Sequence, residues 1–396
     1  MPMPTTARRL GTLPEYAMAR ATQRKRELLA AGVDVIDLGP GDADLMPPPA
    51  ALERLASAAA TPALNRYGFG PGLPAFREAV SAWMDKRFGT HFDPLTEIVP
   101  LIGSKEGISH LALAYADPGQ LTIVPEPGYN SYAGGTRLAG AEPYYYALRP
   151  RTNFLVELDE IPADVLRRAR ILYLNYPNNP TAAIAPRDYL ERTVRRCREL
   201  GLLLVYDNAY SELAFDGYVP PSIFEIDGAR DVAIEFHSMS KTYNMTGWRC
   251  GWAAAQPEIS AALARVKMFA DTGSFMAVQA AAVAALESYD SFVPANVAVF
   301  KQRRDAAVAA FREAGFACET PRATMYLWVP LPDGVSSAMF ADRLMEDEGV
   351  IVLAGSGFGQ GGEGFFRIAF ITGPERLAEA ARRAGRVLQS LVRASA

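Results

Sequence analysis

The chain has 396 residues, 49% of them hydrophobic and 21% charged, with a net charge of −4. That length suits two domains, or one large domain with a smaller companion, and the composition is that of an ordinary folded protein. The balance argues against a nucleic-acid binder, because its 40 Lys and Arg residues are dispersed where a phosphate-tracking surface needs them clustered.

The N-terminal run MPMPTTARRLGTLPEY lacks the apolar core of a signal peptide, and no stretch of about 18 apolar residues could span a bilayer. Cys197, Cys250 and Cys318 lie far apart, and neither they nor His91, His110 and His237 show metal-ligand spacing. These features predict a cytoplasmic protein with reduced thiols, no metal site and no membrane partner.

In chain order, residues 1–46 hold an irregular arm, a helical run over 17–31 and a short strand over 35–38. They are expected to pack on a small domain. Residues 47–288 alternate helix and strand. Helical patterns cover 74–87, 106–115, 187–200, 258–269 and 277–287, and short buried runs cover 121–124, 171–174, 202–206, 232–236 and 251–255. The fold class predicted is α/β, a large domain with a mainly parallel sheet covered by helices. From 289 onward a long helix, strands near 325–329, 350–353 and 365–370, and a terminal helix suggest a smaller α+β domain. The basic run 192–198 reads as the solvated face of a helix.

The chemistry concentrates in EFHSMSKTYNMTGWRCGW, residues 235–252. No acid occurs between Glu235 and Glu258, while Ser238, Ser240, Thr242 and Arg249 surround Lys241. Hydroxyls and a planar guanidinium suit a phosphate, and a lysine beside them suits an aldehyde. In VYDNAY, Asp207 ends a buried strand, where a carboxylate can keep a pyridine nitrogen protonated. Tyr210 follows three residues later and is placed to bond a phenolic oxygen. NYPNNPTAA puts the Asn179 amide at the same edge, able to donate to a phenolate or a carboxylate. Ser104 and Lys105, in IGSKEG, open a helix whose free N–H groups form a phosphate site. Arg367 lies among Phe365, Phe366, Ile368 and Phe370, and a guanidinium buried there needs an anion such as an amino-acid carboxylate. GSGFGQGGEG is followed by strand-like GFFRIAF, which disfavours a dinucleotide loop.

Together these runs resemble, in order and over nearly the whole chain, the fold-type I pyridoxal-phosphate aminotransferases of class I/II. The resemblance implies pyridoxal 5′-phosphate as cofactor, covalently joined to Lys241, with Asp207 on its ring nitrogen and Tyr210 and Asn179 on its ring oxygen. It assigns the phosphate to Ser104, Lys105, Ser238, Ser240 and Arg249. Tyr129, in PEPGYNSY, would stack on the ring. Tyr67, in NRYGFGPG, would reach the neighbouring subunit's phosphate, which implies a homodimer with shared active sites. Arg367, Asn179 and the Gly41 backbone would hold the substrate carboxylate.

The runs FHSMSKTYNMTGWR, ATMYLWVPLP and EGVIVLAGSGFGQGGEGFFRIAF resemble the LL-diaminopimelate aminotransferases in particular, by which Tyr16 would touch substrate. The expected activity is a transamination of the EC 2.6.1 type. An L-amino acid, LL-diaminopimelate-like or alanine, aspartate or methionine, would exchange its amino group with a 2-oxo acid, 2-oxoglutarate being the expected acceptor. Lys241, freed by the incoming amine, would move the α-proton. Two departures bear on substrate identity: Ala182 stands where the family's NPTG has glycine, and Ala354 where relatives often carry proline, which is expected to loosen the turn at Gly355. A β-lyase or synthase of the same fold is the alternative enzyme. A cofactor-binding regulator would need a DNA-binding module, and the residues before the main domain leave no room for one.

Overall fold

The computed structural model describes residues 4–13, 17–68 and 71–395. Its strands are β1 Ile36–Asp37, β2 Ile98–Leu101, β3 Leu121–Glu126, β4 Glu142–Ala147, β5 Ala169–Leu174, β6 Leu203–Asp207, β7 Ala233–Ser238, β8 Gly251–Ala255, β9 Tyr326–Pro330, β10 Val350–Ile351, β11 Leu353–Ala354 and β12 Phe365–Ala369.

Seven of them form one sheet in the order β2-β8-β7-β6-β5-β3-β4. Strands β4, β3, β5, β6 and β7 run parallel, and β8 and β2 close one side antiparallel. The fold is therefore α/β with a mainly parallel sheet. Strands covered on both faces read as continuous apolar runs, and LLVYD of β6 is buried at every position. One apolar cluster packs on each face, one around Leu172, Leu204 and Leu190, the other around Tyr173, Val205 and Ile108.

The sequence reading omits β2 and β4, which are the two edges of the sheet. Each contains a proline, Pro100 or Pro143, which weakens a strand's signal in the sequence. In β4, Glu142 and Tyr145 are also exposed, so no buried run marks it. The helices Pro49–Ala59 and Ser131–Leu138 are likewise absent from that reading. The second, SYAGGTRL, carries Gly134 and Gly135 in its interior, which weakens its helical signal.

Helices follow their apolar stripes. Arg187–Leu200 buries Tyr189, Leu190, Thr193, Val194 and Cys197, and stops at Gly201 in the left-handed conformation, φ 65°. Its arginines point outward, with Arg192 pairing Asp188 at 2.6 Å. The C-terminal helix Pro374–Ser395 buries Leu377, Ala380, Ala381, Ala384, Val387, Leu388 and Leu391. They pack on the antiparallel sheet β11-β12-β9 and on Ile36 and Leu38. Strand β1 pairs in parallel with β10, Ile36 opposite Val350. Arg303, in the long helix Tyr289–Glu313, ties this region to Asp44 through two bonds of 2.6 and 3.0 Å.

The turn after β5 is closed by Asn178. Its Oδ1 accepts from Thr181 N at 3.0 Å and Thr181 Oγ1 at 2.8 Å, and its backbone exchanges bonds of 2.9 Å with Ala182 and Ala183. Ala182 is thereby held at φ 59°, which costs a non-glycine residue ~1–2 kcal/mol, whereas glycine gives back only ~0.5–1 kcal/mol in chain entropy. Ala182→Gly is expected to raise unfolding stability by about 0.5–1 kcal/mol in a urea titration, with the m-value unchanged. A loss of stability would show that the turn is not strained at this alanine.

Candidate active site

The carboxyl ends of β3, β5, β6 and β7 lie along one edge of the sheet. There the chain turns from β3 outward to β4 and then back across to β5, a switch point where open α/β sheets leave a crevice. A cleft of about 1110 Å³ opens at this edge.

Asp207, the last residue of β6, forms its floor. It is 5% exposed, and Oδ2 accepts a hydrogen bond from Tyr132 Oη at 2.8 Å. Oδ1 is buried and has no partner. Burial pushes the carboxyl up to about 6, against the opposing pull of the Tyr132 hydroxyl, the Ala209 N–H and His237. Asn175 Nδ2 fixes the strand end by donating to the Asp207 carbonyl at 2.7 Å, and Asn175 Oδ1 accepts from Asn179 N at 2.7 Å. Tyr132 stacks on Tyr173, with centroids 4.8 Å apart, and meets Tyr129 edge-on at 5.7 Å. Tyr129 lines the cleft.

Strand β7 ends at Ser238, whose hydroxyl accepts from Ser240 N at 3.2 Å and caps the single turn Met239–Thr242. That turn carries Lys241, whose Nζ donates to the Gly41 carbonyl. Arg249 adopts φ 56°, and its guanidinium donates to Thr246 O at 2.8 Å and Ile102 O at 3.5 Å. The guanidinium lies against Gly103, where a Cβ would come within 2.3 Å of Nη2. Gly103 caps the helix Ser104–Tyr115, so the N-terminal end of that helix, with Ser104, Lys105, Ser238, Ser240 and Arg249, gathers at one end of the cleft. This donor set suits a phosphate.

The opposite wall comes from the small sheet. Arg367, in the middle of β12 and 4% exposed, donates to Asn179 Oδ1 at 2.7 Å and to Gly39 O at 2.5 Å. Its guanidinium lies 4.1 Å from the Tyr326 ring centroid and 4.9 Å from that of Phe358. The Tyr326 and Tyr210 hydroxyls are 3.1 Å apart. Burial raises the Tyr326 phenol, but Lys241 and Arg367 draw it below its ordinary value; burial and the neighbouring Tyr326 push Tyr210 far above its own. Gly41 permits this crowding, because a Cβ there would lie 2.0 Å from Tyr326 Oη.

The cleft thus brings together Gly41, Ser104, Lys105, Tyr129, Asn179, Asp207, Tyr210, Ser238, Ser240, Lys241, Arg249 and Arg367. Tyr67 is 69% exposed and does not line it; Tyr16 lies outside the described residues. Sequence reasoning missed Asn175, Tyr132, Tyr326 and Phe358. Tyr132 follows Tyr129 by three residues, and Asn175 opens the quoted run NYPNNP, but nothing local marks Tyr326 or Phe358 as site residues. Ala354 has a φ of −56° and a ψ of 138°, which a proline could also adopt.

The family model of the class I and II aminotransferases matches residues 33–383. The chain belongs to this family. An LL-diaminopimelate aminotransferase of Desulforudis audaxviator is 46% identical over 95% of this chain and 96% of its own length, and one of Moorella thermoacetica is 45% identical over 96% and 98%. Among solved structures, substrate-bound BacF of Bacillus subtilis superposes with a TM-score of 0.93 at 32% identity, covering 97% of this chain and 98% of its own. A probable N-succinyldiaminopimelate aminotransferase of Thermus thermophilus gives 0.88 at 38%, covering 93% and 99%.

This aminotransferase uses pyridoxal 5′-phosphate to move an amino group between an amino acid and a 2-oxo acid. The residues fit that group: Asp207 Oδ1 is a buried acceptor without a donor, and the Ser104–Arg249 end gathers donors with no acid lining the cleft beside them.

Without the cofactor Asp207 carries a cost with a definite pH signature. The native state holds this proton to about pH 6, whereas the unfolded chain releases it near 3.8. Stability therefore falls as pH rises from about 4 to 6, and the full penalty, ~3 kcal/mol, stands above that window. Asp207→Asn apoprotein should exceed the wild type by up to about 3 kcal/mol at pH 8, with the gain fading toward pH 4. Urea titrations at several pH values check this, and a pH-independent difference would contradict it.

Proposed function

We propose that the enzyme transaminates LL-diaminopimelate with 2-oxoglutarate as amino acceptor, glutamate being the second product. The observation that carries the substrate class is the continuation of the cleft beyond Arg367 to Ala338, Ala341, Asp342 and Met345. That reach leaves room for a long substrate with a polar far end, and identities of 45–46% to LL-diaminopimelate aminotransferases support the choice.

Arg367 presents a buried planar fork for the α-carboxylate, with Asn179 and the Gly41 backbone beside it. Lys241, whose Nζ contacts the Gly41 carbonyl, would take the proton from the α-carbon and return it on the carbon at the far side of the amino nitrogen. Asp207 would accept the ring N–H, Tyr210 would donate to the ring oxygen, Tyr129 would cover the ring face, and Ser104, Lys105, Ser238, Ser240 and Arg249 would anchor the phosphate. Bound there, pyridoxal 5′-phosphate supplies the carbonyl that receives the amino group and a ring that takes up the electron pair left on the α-carbon.

The proposed organisation has an arm and part of a small domain at 1–46, a cofactor domain at 47–288 and the rest of the small domain at 289–396. The functional unit is a homodimer. Phe269 is 88% exposed, Met268 62% and Phe275 45%, an apolar patch that suits a second copy of the chain. Tyr67, whose neighbour Gly68 rests near Met276, belongs to the same region and would enter the partner's site. The cysteines are free and buried, and among the described residues no helix is long and apolar enough to cross a membrane; a cytoplasmic location accords with both.

Half-reactions test the substrate. LL-diaminopimelate, added alone to the loaded enzyme, should bleach the bound cofactor's visible absorbance and release one equivalent of 2-oxo acid. Alanine, aspartate or methionine bleaching it while LL-diaminopimelate does not would overturn the assignment. Lys241→Ala is expected to lose about 10²–10⁴-fold in kcat. Arg367→Lys is expected to raise KM for the amino donor by about 10–100-fold, because a bidentate charged contact is lost.

Sedimentation tests the dimer: wild type should run as a dimer at micromolar concentration, and Phe269→Asp should shift it toward monomer. A wild-type monomer at that concentration would refute shared sites.

A further inference from the structure

Lys267 is 2% exposed, near the end of the helix Pro257–Ala270, and takes no part in the chemistry above. Its Nζ donates to Glu106 Oε1 at 2.7 Å and to both oxygens of Asp271 at 3.2 Å. His110 Nδ1 lies 2.7 Å from the same Glu106 oxygen and 3.7 Å from Asp271. Glu106, His110 and Asp271 approach one another as metal ligands would, but the Lys267 ammonium already stands against both carboxylates.

Glu106 Oε2 accepts from Ile102 N at 3.1 Å. The carbonyl of the same residue accepts from Arg249. Ile102 is therefore held at both its N–H and its C=O immediately before Gly103 and Ser104, where the phosphate-binding turn begins. Glu106 also sits in the first turn of the helix Ser104–Tyr115. A carboxylate there favours the helix but repels a phosphate dianion at the same end.

We infer that Lys267 is a positioning residue for the cofactor. It neutralises Glu106, so that the carboxylate fixing the phosphate turn does not repel the phosphate. The inference rests on the reading of Ser104 and Arg249 as the phosphate end. It makes opposite predictions for the two partners: removing Lys267 exposes the anion, whereas converting Glu106 to its amide removes the charge and keeps an acceptor for Ile102 N–H.

The test is titration of apoprotein with pyridoxal 5′-phosphate, followed by protein fluorescence and visible absorbance, with inorganic phosphate as competitor. Lys267→Met should raise Kd by about 10–100-fold and weaken phosphate competition in step. Lys267→Arg should stay within about threefold of wild type, and the double variant Glu106→Gln/Lys267→Met should recover most of the lost affinity. Wild-type affinity in Lys267→Met, or a double variant no better than Lys267→Met, overturns the inference. Arg249→Met separates the two readings. If it weakens binding while Lys267→Met does not, only the positioning role fails; if neither does, the phosphate end itself is misplaced.

Discussion

Asp207 is buried at the end of a central strand, accepts one bond from Tyr132, and leaves its other oxygen without a donor. A carboxylate in that position is raised toward neutrality unless a cation approaches it. The surroundings keep the carboxylate in place without neutralising it. Asn175 ties down its backbone, and stacked Tyr132 and Tyr173 exclude water from its flank. Phenol and backbone N–H donors lower the cost without supplying a full charge. In the proposed binding mode a protonated ring nitrogen would supply that charge, so the electrostatic deficit of the protein would favour cofactor binding.

The opposite deficit occupies the rest of the cleft. Lys105, Lys241, Arg249 and Arg367 all line it, and its main buried acid, Asp207, lies at the floor. Crowding of Lys241 and Arg367 around Tyr326 is strong enough to pull a fully buried phenol below its ordinary value. Such an arrangement suits anions at two places, the Ser104–Arg249 end and the Arg367 wall, where the proposed phosphate and substrate carboxylate would lie. Glu106 is the anion that would spoil this balance, and it is matched by Lys267 at 2.7 Å.

How much of this was legible in the sequence followed burial. Strands β5, β6 and β7, covered on both faces, announce themselves as apolar runs, and Asp207 and Lys241 stand out because each interrupts or follows such a run. Edge strands β2 and β4 each carry a proline, β2 is only four residues long, and β4 has exposed residues, so neither leaves such a signal. Tyr132 and Tyr326 were missed for a different reason: a buried tyrosine looks like core until its hydroxyl is known to meet Asp207 or Tyr210, and the second of these contacts joins positions 116 residues apart. Lys267 read only as one residue of a helix, since its partner Glu106 lies 161 positions away.

The same distinction explains why the reaction class could be read more securely than the substrate. The reacting groups sit at the ends of strands whose registers are fixed by two-sided burial, so that a slip by one residue would turn every side chain over. The far wall is built otherwise, from the helix Ser337–Glu348, β11 and the glycine-containing loop that carries Phe358. Several residues lining the cleft there, Ala338, Ala341, Ala354 and Gly357, are small, and none of these elements belongs to the seven-stranded sheet. Ala354, in this wall, has dihedrals that a proline could also adopt. Substitutions along this wall can therefore change which side chain fits beyond Arg367 while leaving Lys241, Asp207 and the phosphate end undisturbed.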